Sequence, residues 1–310
     1  MKGRAAGLIL QFVISAVLLV LLTRKVPVDE AIAAFARVKP STLAIAVALS
    51  LAGYWGRARR WTVLLDRAGL AMRTWTSYCL TLVGTFYGLF TPGRVGEFAR
   101  VLHMNAPRSR TLPSVVWDRV ADVVLLELMS IPAFLLVPAW RGALLAVFAA
   151  LVAVTIAGIW VLSHAGVARA AARAMPFAAG PLAQWSESSE GMLSSSAFAS
   201  SLGYGLVFYA FGYAGAWVLL RDLAPTASPQ LLLGLPVIPL LGNLPIAFGG
   251  LGLREQVSAA IFGQFGAGAA TGAAFSLLWF LTATLLPGLV GLALSALPSA
   301  RVDAAAGGRS

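Results

Sequence analysis

Residues 89–100 have the sequence Leu89-Phe90-Thr91-Pro92-Gly93-Arg94-Val95-Gly96-Glu97-Phe98-Ala99-Arg100. The stretch breaks an apolar segment at a proline and then places arginine and glutamate in a strongly hydrophobic chain. About 150 residues later a second stretch repeats this order, Asn243-Leu244-Pro245-Ile246-Ala247-Phe248-Gly249-Gly250-Leu251-Gly252-Leu253-Arg254-Glu255. Charged side chains at membrane depth are costly, so the two broken segments predict a transport or binding site rather than a lipid-facing wall.

The composition indicates whether this chain folds in water or in a membrane. Of its 310 residues, 59% are hydrophobic and only 11% are charged, and the mean hydropathy is +0.84. These polar residues are too few to cover a soluble domain, and the continuous runs of about 20 apolar residues predict membrane-spanning helices. The predicted fold class is an all-α polytopic membrane protein.

The net charge of +11 has two possible readings. Basic residues in loops fix membrane topology and contact anionic headgroups, and in a chain this apolar that reading is favoured over nucleic-acid binding. We therefore expect membrane lipid, and no nucleic acid, as a partner.

Six apolar stretches are long enough to cross about 30 Å of hydrocarbon. They are Ala6–Leu22, interpreted as a retained first helix, Thr42–Leu65, Pro113–Val137, Ala143–Leu162, Ser200–Leu220 and Thr271–Leu297. Two shorter stretches, Thr74–Phe90 and Gln230–Leu244, end near proline and lead into short helices, about Arg94–Asn105 and Leu253–Phe265. Each is predicted to form a re-entrant helix hairpin.

The distribution of Lys and Arg sets the predicted orientation. With a cytoplasmic N-terminus most basic residues fall on the cytoplasmic side of a bacterial inner membrane, and the C-terminus is cytoplasmic as well. The two hairpins then enter from opposite sides. This predicts a single domain, residues 1–310, built as an inverted repeat of about 42–137 and about 200–297, joined by an interfacial linker, about 163–199.

The first broken segment carries Arg94, Glu97 and Arg100, each three residues from the next. On a helix that starts after the turn at Pro92 and Gly93 they share a face, and Glu97 can pair with either arginine. The surplus positive charge can meet an anionic headgroup. Alternatively, the charged groups only satisfy one another.

A second charged group lies within a predicted span. Asp118 and Asp122 are four residues apart on one helix face, with Arg119 beside Asp118. They are predicted to be counter-charges for Arg94 or Arg100, or a protonatable relay. The alternative is a salt-bridge staple near the end of the span.

The second broken segment is rich in glycine. Asn243 and Pro245 precede Gly249, Gly250 and Gly252, which permit a tight turn before the helix that carries Arg254 and Glu255. Free amides at the start of that helix predict a seat for an anion. Glycines also serve close helix packing in membranes, which is the alternative.

Arg57, Arg60 and Trp61 are interpreted as an anchor at the inner interface, with phosphate binding as the alternative. His103 and His164 have no partner at metal-ligand spacing, and the sequence contains no catalytic triad or nucleotide-binding pattern. We therefore expect no metal, no cofactor and no enzymatic activity.

Four motifs, in order, resemble the transmembrane region of the lysylphosphatidylglycerol synthase family, also described as flippase-like. They are Arg57-x-x-Arg60-Trp61, Pro92-Gly93-Arg94-x-Gly96-Glu97-x-x-Arg100, Asp118-Arg119-x-x-Asp122, and Pro245-x-x-x-Gly249-Gly250-x-Gly252-x-Arg254-Glu255. The resemblance covers essentially the whole chain and implies movement of lipid across the bilayer. Bifunctional relatives append an aminoacyltransferase domain, which we do not expect here. Where relatives often carry Glu-Arg, this chain has Asp118-Arg119.

These features lead to one hypothesis and two rivals. The hypothesis is a flippase with alternating access between the two hairpins, in which Arg94, Arg100 and Arg254 attract an anionic headgroup. Glu97, Asp122 and Glu255 would exchange partners or protons. The first rival is a non-transporting partner that binds lipid or a lipid-linked sugar for an envelope-synthesis enzyme, and the second is a proton-coupled carrier of small solutes.

Overall fold

The computed structural model describes residues 17, 20, 21, 28–89, 91–137, 140, 142–164, 192, 195–244, 247 and 250–295. Within these residues the regular structure is helical, as predicted for the fold class. The helices, in chain order, are α1 (Val28–Ala36), α2 (Pro40–Arg67), α3 (Thr74–Leu89), α4 (Arg108–Leu136), α5 (Ala143–Ser163), α6 (Ser195–Leu223), α7 (Leu231–Gly234), α8 (Val237–Gly242), α9 (Leu253–Gln264), α10 (Ala269–Phe280) and α11 (Leu286–Ser295). A 3₁₀ segment, Pro92–His103, follows α3.

Five of the six predicted spans coincide with helices, namely α2, α4, α5, α6 and the pair α10 and α11. Among the described residues, three stretches are long and apolar enough to cross a membrane: Leu144–Ser163, Ser196–Leu223 and Ala269–Ser295. Helices α2 and α4 have 28 and 29 residues, so they reach roughly 42 Å, but both carry several charged residues. The predicted first span lies outside the described residues except for Val17, Val20 and Leu21.

The first broken segment ends its apolar helix where predicted. Helix α3 stops at Leu89, and the short helix predicted at about Arg94–Asn105 is present over Pro92–His103, where it is wound as a 3₁₀ helix rather than an α-helix. Arg94 has φ +57°, in the left-handed region, and a regular α-helix cannot pass through such a residue. The Thr91 hydroxyl oxygen accepts a hydrogen bond from the Gly96 amide at 2.6 Å and closes the turn.

The second broken segment contains two short helices and a glycine turn. Helices α7 and α8 replace a full span, and α9 begins after Gly250 and Gly252, whose φ angles of +76° and +81° favour glycine. The predicted short helix Leu253–Phe265 is confirmed to within one residue by α9. Pro245 and Gly249 lie outside the described residues.

A π-helical turn, Leu281–Leu285, joins α10 to α11. Pro287 has no N–H, so it cannot supply the backbone bond that the carbonyl of Ala283 would receive in an α-helix. The Tyr54 hydroxyl donates to that carbonyl at 3.2 Å. A buried side chain on α2 therefore holds this irregular turn by a hydrogen bond.

The chain divides into two compact units. The first comprises the described residues of Met1–Tyr54, Leu82–Ala99 and Tyr209–Leu294, and the second those of Trp55–Thr81, Arg100–Phe208 and Ser295–Ser310. Each unit therefore contains residues of both predicted repeats. Most of the predicted linker 163–199 lies outside the described residues.

In the first unit, close packing of α9 on α10 sets the position of the second broken segment. The Ser258 hydroxyl donates to the carbonyl of Gly272 at 2.6 Å, and a Cβ added at Gly272 would lie 2.6 Å from the Ser258 carbonyl oxygen. The rings of Phe262 and Phe275 pack beside this contact at an interplanar angle of 36°, with their centroids 5.0 Å apart. Helix α1, which the hydropathy pattern did not reveal, also packs against α10.

Candidate functional site

The second unit holds charged side chains that are almost wholly buried. We call the set of Arg57 and Arg60 on α2, Arg100 in the 3₁₀ segment, and Asp118 and Asp122 on α4 the buried ion cluster. These residues are between 0% and 5% exposed. Charges this deeply buried are tolerated only when the protein pairs them.

Each aspartate contacts two arginines of the cluster. The two carboxylate oxygens of Asp118 accept hydrogen bonds from Arg60 Nε and Arg100 Nη2, both at 2.6 Å. Asp122 accepts one from Arg57 Nη2 at 3.0 Å, and its other oxygen lies 2.8 Å from Arg60 Nη1. Arg60 therefore links both carboxylates.

The helical periodicity of α2 and α4 explains the cluster. Arg57 and Arg60 are three residues apart on α2, and the aspartates are four apart on α4, so each pair forms one row on its helix. The prediction that these aspartates are counter-charges is confirmed for Arg100, through Asp118. Arg119 also contacts the cluster, with Nη1 3.5 Å from Asp122 Oδ2.

The interface-anchor prediction for Arg57, Arg60 and Trp61 is wrong, because their exposures are 1%, 0% and 0%. The Trp61 indole donates from Nε1 to the Ser114 hydroxyl at 3.0 Å, and the Arg100 guanidinium lies 4.1 Å from the centre of the Trp61 ring. A basic residue near an aromatic at a helix end is common to interface anchors and to buried cation–π contacts. The position of Asp118 and Asp122 in the folded chain is what distinguishes a buried contact from an interface anchor here.

The first unit contains four of the five charged residues of the two broken segments, all except Arg100. We call these four, Arg94, Glu97, Arg254 and Glu255, the break cluster. Arg94 Nη1 lies 3.9 Å from Glu97 Oε1, and Arg254 Nη2 lies 3.9 Å from Glu255 Oε1. The expected pairing of Glu97 with either arginine is thus seen with Arg94, whereas the ion pair of Arg100 is with Asp118.

Burial differs by charge sign within the break cluster. The side chains of Arg94 and Arg254 are 20% and 12% exposed, and those of Glu97 and Glu255 are 1% and 0% exposed. Arg94 is also close enough to Arg254 for their charges to repel. The two arginine side chains are therefore only partly buried, although Arg254 Nη2 itself is buried without a hydrogen bond to the described residues, whereas the two carboxylates are almost wholly buried.

Two glycines make room for the charged side chains, one shortly before each broken segment. A Cβ added at Gly88 of α3 would lie 2.8 Å from Glu97 Cγ, and one added at Gly242 of α8 would lie 2.7 Å from Arg254 Cδ. Helices α3 and α8 thus each offer a glycine against which a charged side chain lies. Neither glycine is among the predicted site residues, although each lies close to the end of its apolar stretch.

Glu255 corrects the predicted anion seat at the start of α9. Its Oε2 accepts the amide N–H of Gly252 at 2.7 Å, and its Oε1 accepts the hydroxyl of Ser276 at 3.2 Å. This is the carboxylate half of a capping box. The chain's own glutamate therefore occupies one of the amides, that of Gly252, at which the sequence predicts an external anion.

Arg254 is held on two further sides. Its guanidinium lies 4.0 Å from the centre of the Phe280 ring, and its Nε donates to the carbonyl of Gly250 at 3.4 Å. Asn243 ends α8 and is half-buried, with its backbone N–H bonded to the Pro239 carbonyl at 3.0 Å.

The two guanidinium groups of the break cluster match the chemistry of a phosphate or carboxylate. Arginine binds such oxyanions through two parallel N–H donors, and an anion between Arg94 and Arg254 relieves their mutual repulsion. In the part of the chain that the structure describes, no cluster of His, Cys, Asp and Glu side chains is arranged to hold a metal ion.

No curated protein matches this chain. The family model for the lysylphosphatidylglycerol synthase TM region matches residues 8–291, which is most of the sequence. That range includes both broken segments, the buried ion cluster and the break cluster. The chain belongs to the lysylphosphatidylglycerol synthase transmembrane-region family.

Proposed function

We propose that this multi-pass membrane protein translocates a phospholipid, or another anionic lipid-linked substrate, across the bacterial inner membrane. The observation that carries the proposal is the break cluster, in which the side chains of Arg94 and Arg254 remain partly exposed, those of Glu97 and Glu255 are almost wholly buried, and Arg254 Nη2 has no hydrogen bond within the described part of the chain. Family membership supports a lipid-related function. Translocation changes no covalent bond of the lipid, so we propose a transporter and not an enzyme.

In the proposed mechanism the headgroup phosphate binds between the two arginines while the acyl chains stay in the bilayer. Both broken segments contribute one guanidinium each, so movement of either segment changes the site. The half-helices α3 and α8 are proposed to belong to re-entrant hairpins that enter from opposite sides, in an inverted repeat with both chain termini in the cytoplasm. Glu97 and Glu255 would pair with the arginines whenever the headgroup leaves.

A liposome assay tests this proposal. The full-length protein is reconstituted with fluorescent phosphatidylglycerol, and a membrane-impermeant quencher reports movement between leaflets. We expect Arg94→Gln and Arg254→Gln to slow movement at least about tenfold, because a charged hydrogen bond contributes about 1.5–3 kcal/mol. Arg73→Gln, at an exposed position before α3, is the matched control. Wild-type rates in both break-cluster variants would overturn the proposal.

The buried ion cluster favours a second function. Its charged pairs are as short as 2.6 Å and fully buried, so the second unit resists rearrangement. Such a protein suits a fixed receptor that binds lipid or a lipid-linked sugar and presents it to an envelope-synthesis enzyme. The same liposomes distinguish the two functions: a receptor moves no lipid, yet native mass spectrometry finds anionic lipid bound to wild type and lost from Arg254→Gln.

A further inference from the structure

One carboxyl group of the second unit lies away from both clusters. Glu127 is 6% exposed and sits within α4, five residues after Asp122. A step of five residues turns the helix by about 140°, so Glu127 points away from the row of Asp118 and Asp122. Its Oε1 lies 2.7 Å from the hydroxyl oxygen of Thr155 on α5.

The surroundings of Glu127 contain no charged partner among the described residues. Helix α5, which packs on α4, has no Asp, Glu, Lys, Arg or His anywhere in residues 143–163, and His164 is nine residues, or about 13 Å, beyond Thr155. The positions one turn away from Glu127 on α4 are Val123, Val124, Ser130 and Ile131. Asp122 on the same helix differs in this respect, because it contacts three arginines.

Elementary electrostatics decides the protonation state in such a place. An ionised carboxylate that is buried without a cation costs several kcal/mol, whereas a neutral carboxyl needs only hydrogen-bond partners. The Thr155 hydroxyl supplies one. Exposed apolar side chains adjoin the pair on both helices, Leu128 at 51% and Val154 at 70%, so the nearby surface is suited to lipid rather than water.

We infer that Glu127, paired with Thr155, is a proton-binding site within the bilayer: at neutral pH it is a neutral carboxylic acid hydrogen-bonded to the hydroxyl. The ligand is a proton, and binding converts the carboxylate to the acid with no other reactant. Release of the proton requires water or a cation to reach the group. The inference concerns α4 and α5 alone and stands whether or not the protein moves lipid.

Infrared spectroscopy of the full-length protein in liposomes at neutral pH tests the inference. A protonated carboxyl has a C=O stretching band separate from those of carboxylates, and the band shifts in deuterated water. We expect wild type to show this band and Glu127→Gln to lose it. The control Glu30→Gln, at an exposed position in the first turn of α1, should leave the band unchanged.

A second variant keeps the inference testable if Glu127→Gln does not fold. Thr155→Val removes the hydroxyl and retains the side-chain shape, so the band should remain and move to the frequency of a less hydrogen-bonded acid. Absence of the band from wild type would overturn the inference. So would a band that neither Glu127→Gln nor Thr155→Val changes.

Discussion

Replacement of Asp118 by asparagine tests the energetic role of the buried ion cluster. The variant keeps the side-chain shape and removes the negative charge. In the wild type the two carboxylate oxygens accept hydrogen bonds from Arg60 and Arg100, each at 2.6 Å. Two charge-assisted hydrogen bonds of about 1.5–3 kcal/mol each give a loss of about 3–6 kcal/mol. Loss of one partner from a buried ion pair costs about 3–5 kcal/mol, which agrees. We therefore expect the free energy of unfolding to fall by about 4 kcal/mol.

The measurement is reversible unfolding of the full-length protein from mild detergent micelles by added SDS, followed by tryptophan fluorescence. Asp66→Asn is the matched control, since Asp66 is exposed near the end of α2 and its replacement should change the unfolding free energy by less than about 0.5 kcal/mol. A double-mutant cycle with Arg100→Gln should give a coupling energy of about 1.5–3 kcal/mol. The reasoning fails if Asp118→Asn unfolds like wild type, or if the coupling energy is zero.

Two further substitutions test packing in the first unit. Gly242→Ala places a methyl group against the Arg254 side chain, 2.7 Å from its Cδ, so we expect a stability loss of about 1–3 kcal/mol together with slower lipid movement in the liposome assay. Gly263→Ala on α9, whose nearest neighbour would be 4.0 Å away, is the control and should retain both wild-type properties. Tyr54→Phe removes the hydrogen bond to the π-helical turn before Pro287 and should lower the unfolding free energy by about 1 kcal/mol in SDS titration; an unchanged value would show that the carbonyl has another partner.

The helices were the most predictable feature of the chain. Long apolar runs produced α4, α5 and α6 close to their predicted bounds, because a membrane requires every backbone polar group to be bonded within the segment. The glycine turn before α9 was equally readable, since positive φ angles favour glycine. The 3₁₀ winding after α3 was not, because the left-handed φ of Arg94 is set by the packing of the turn and not by the residue type.

The charged residues were identified by sequence, but their partners were only partly predicted. Asp118 was expected to face Arg94 or Arg100, and the structure pairs it with Arg100 and with Arg60, which lies 58 residues earlier in the chain. The sequence pattern predicts an interface anchor for Arg57 and Arg60, since their i, i+3 spacing is the same in a lipid-facing row and in a buried one. The glycine turn predicts free amides at the start of α9, and in the structure Glu255 accepts the amide of Gly252.

The sequence by itself determined the membrane environment of this protein, its helical fold, the two broken segments and the residue types within them. Those properties follow from local composition, since the cost of exposing a backbone amide or a charge to hydrocarbon does not depend on what lies elsewhere in the chain. Tertiary structure alone decided which charges neutralise each other. Ion pairs form between side chains brought within a few ångströms by packing, so the burial of Asp118 between two arginines, the contact of Arg254 with Glu255 and the isolation of Glu127 beside Thr155 all required the folded chain.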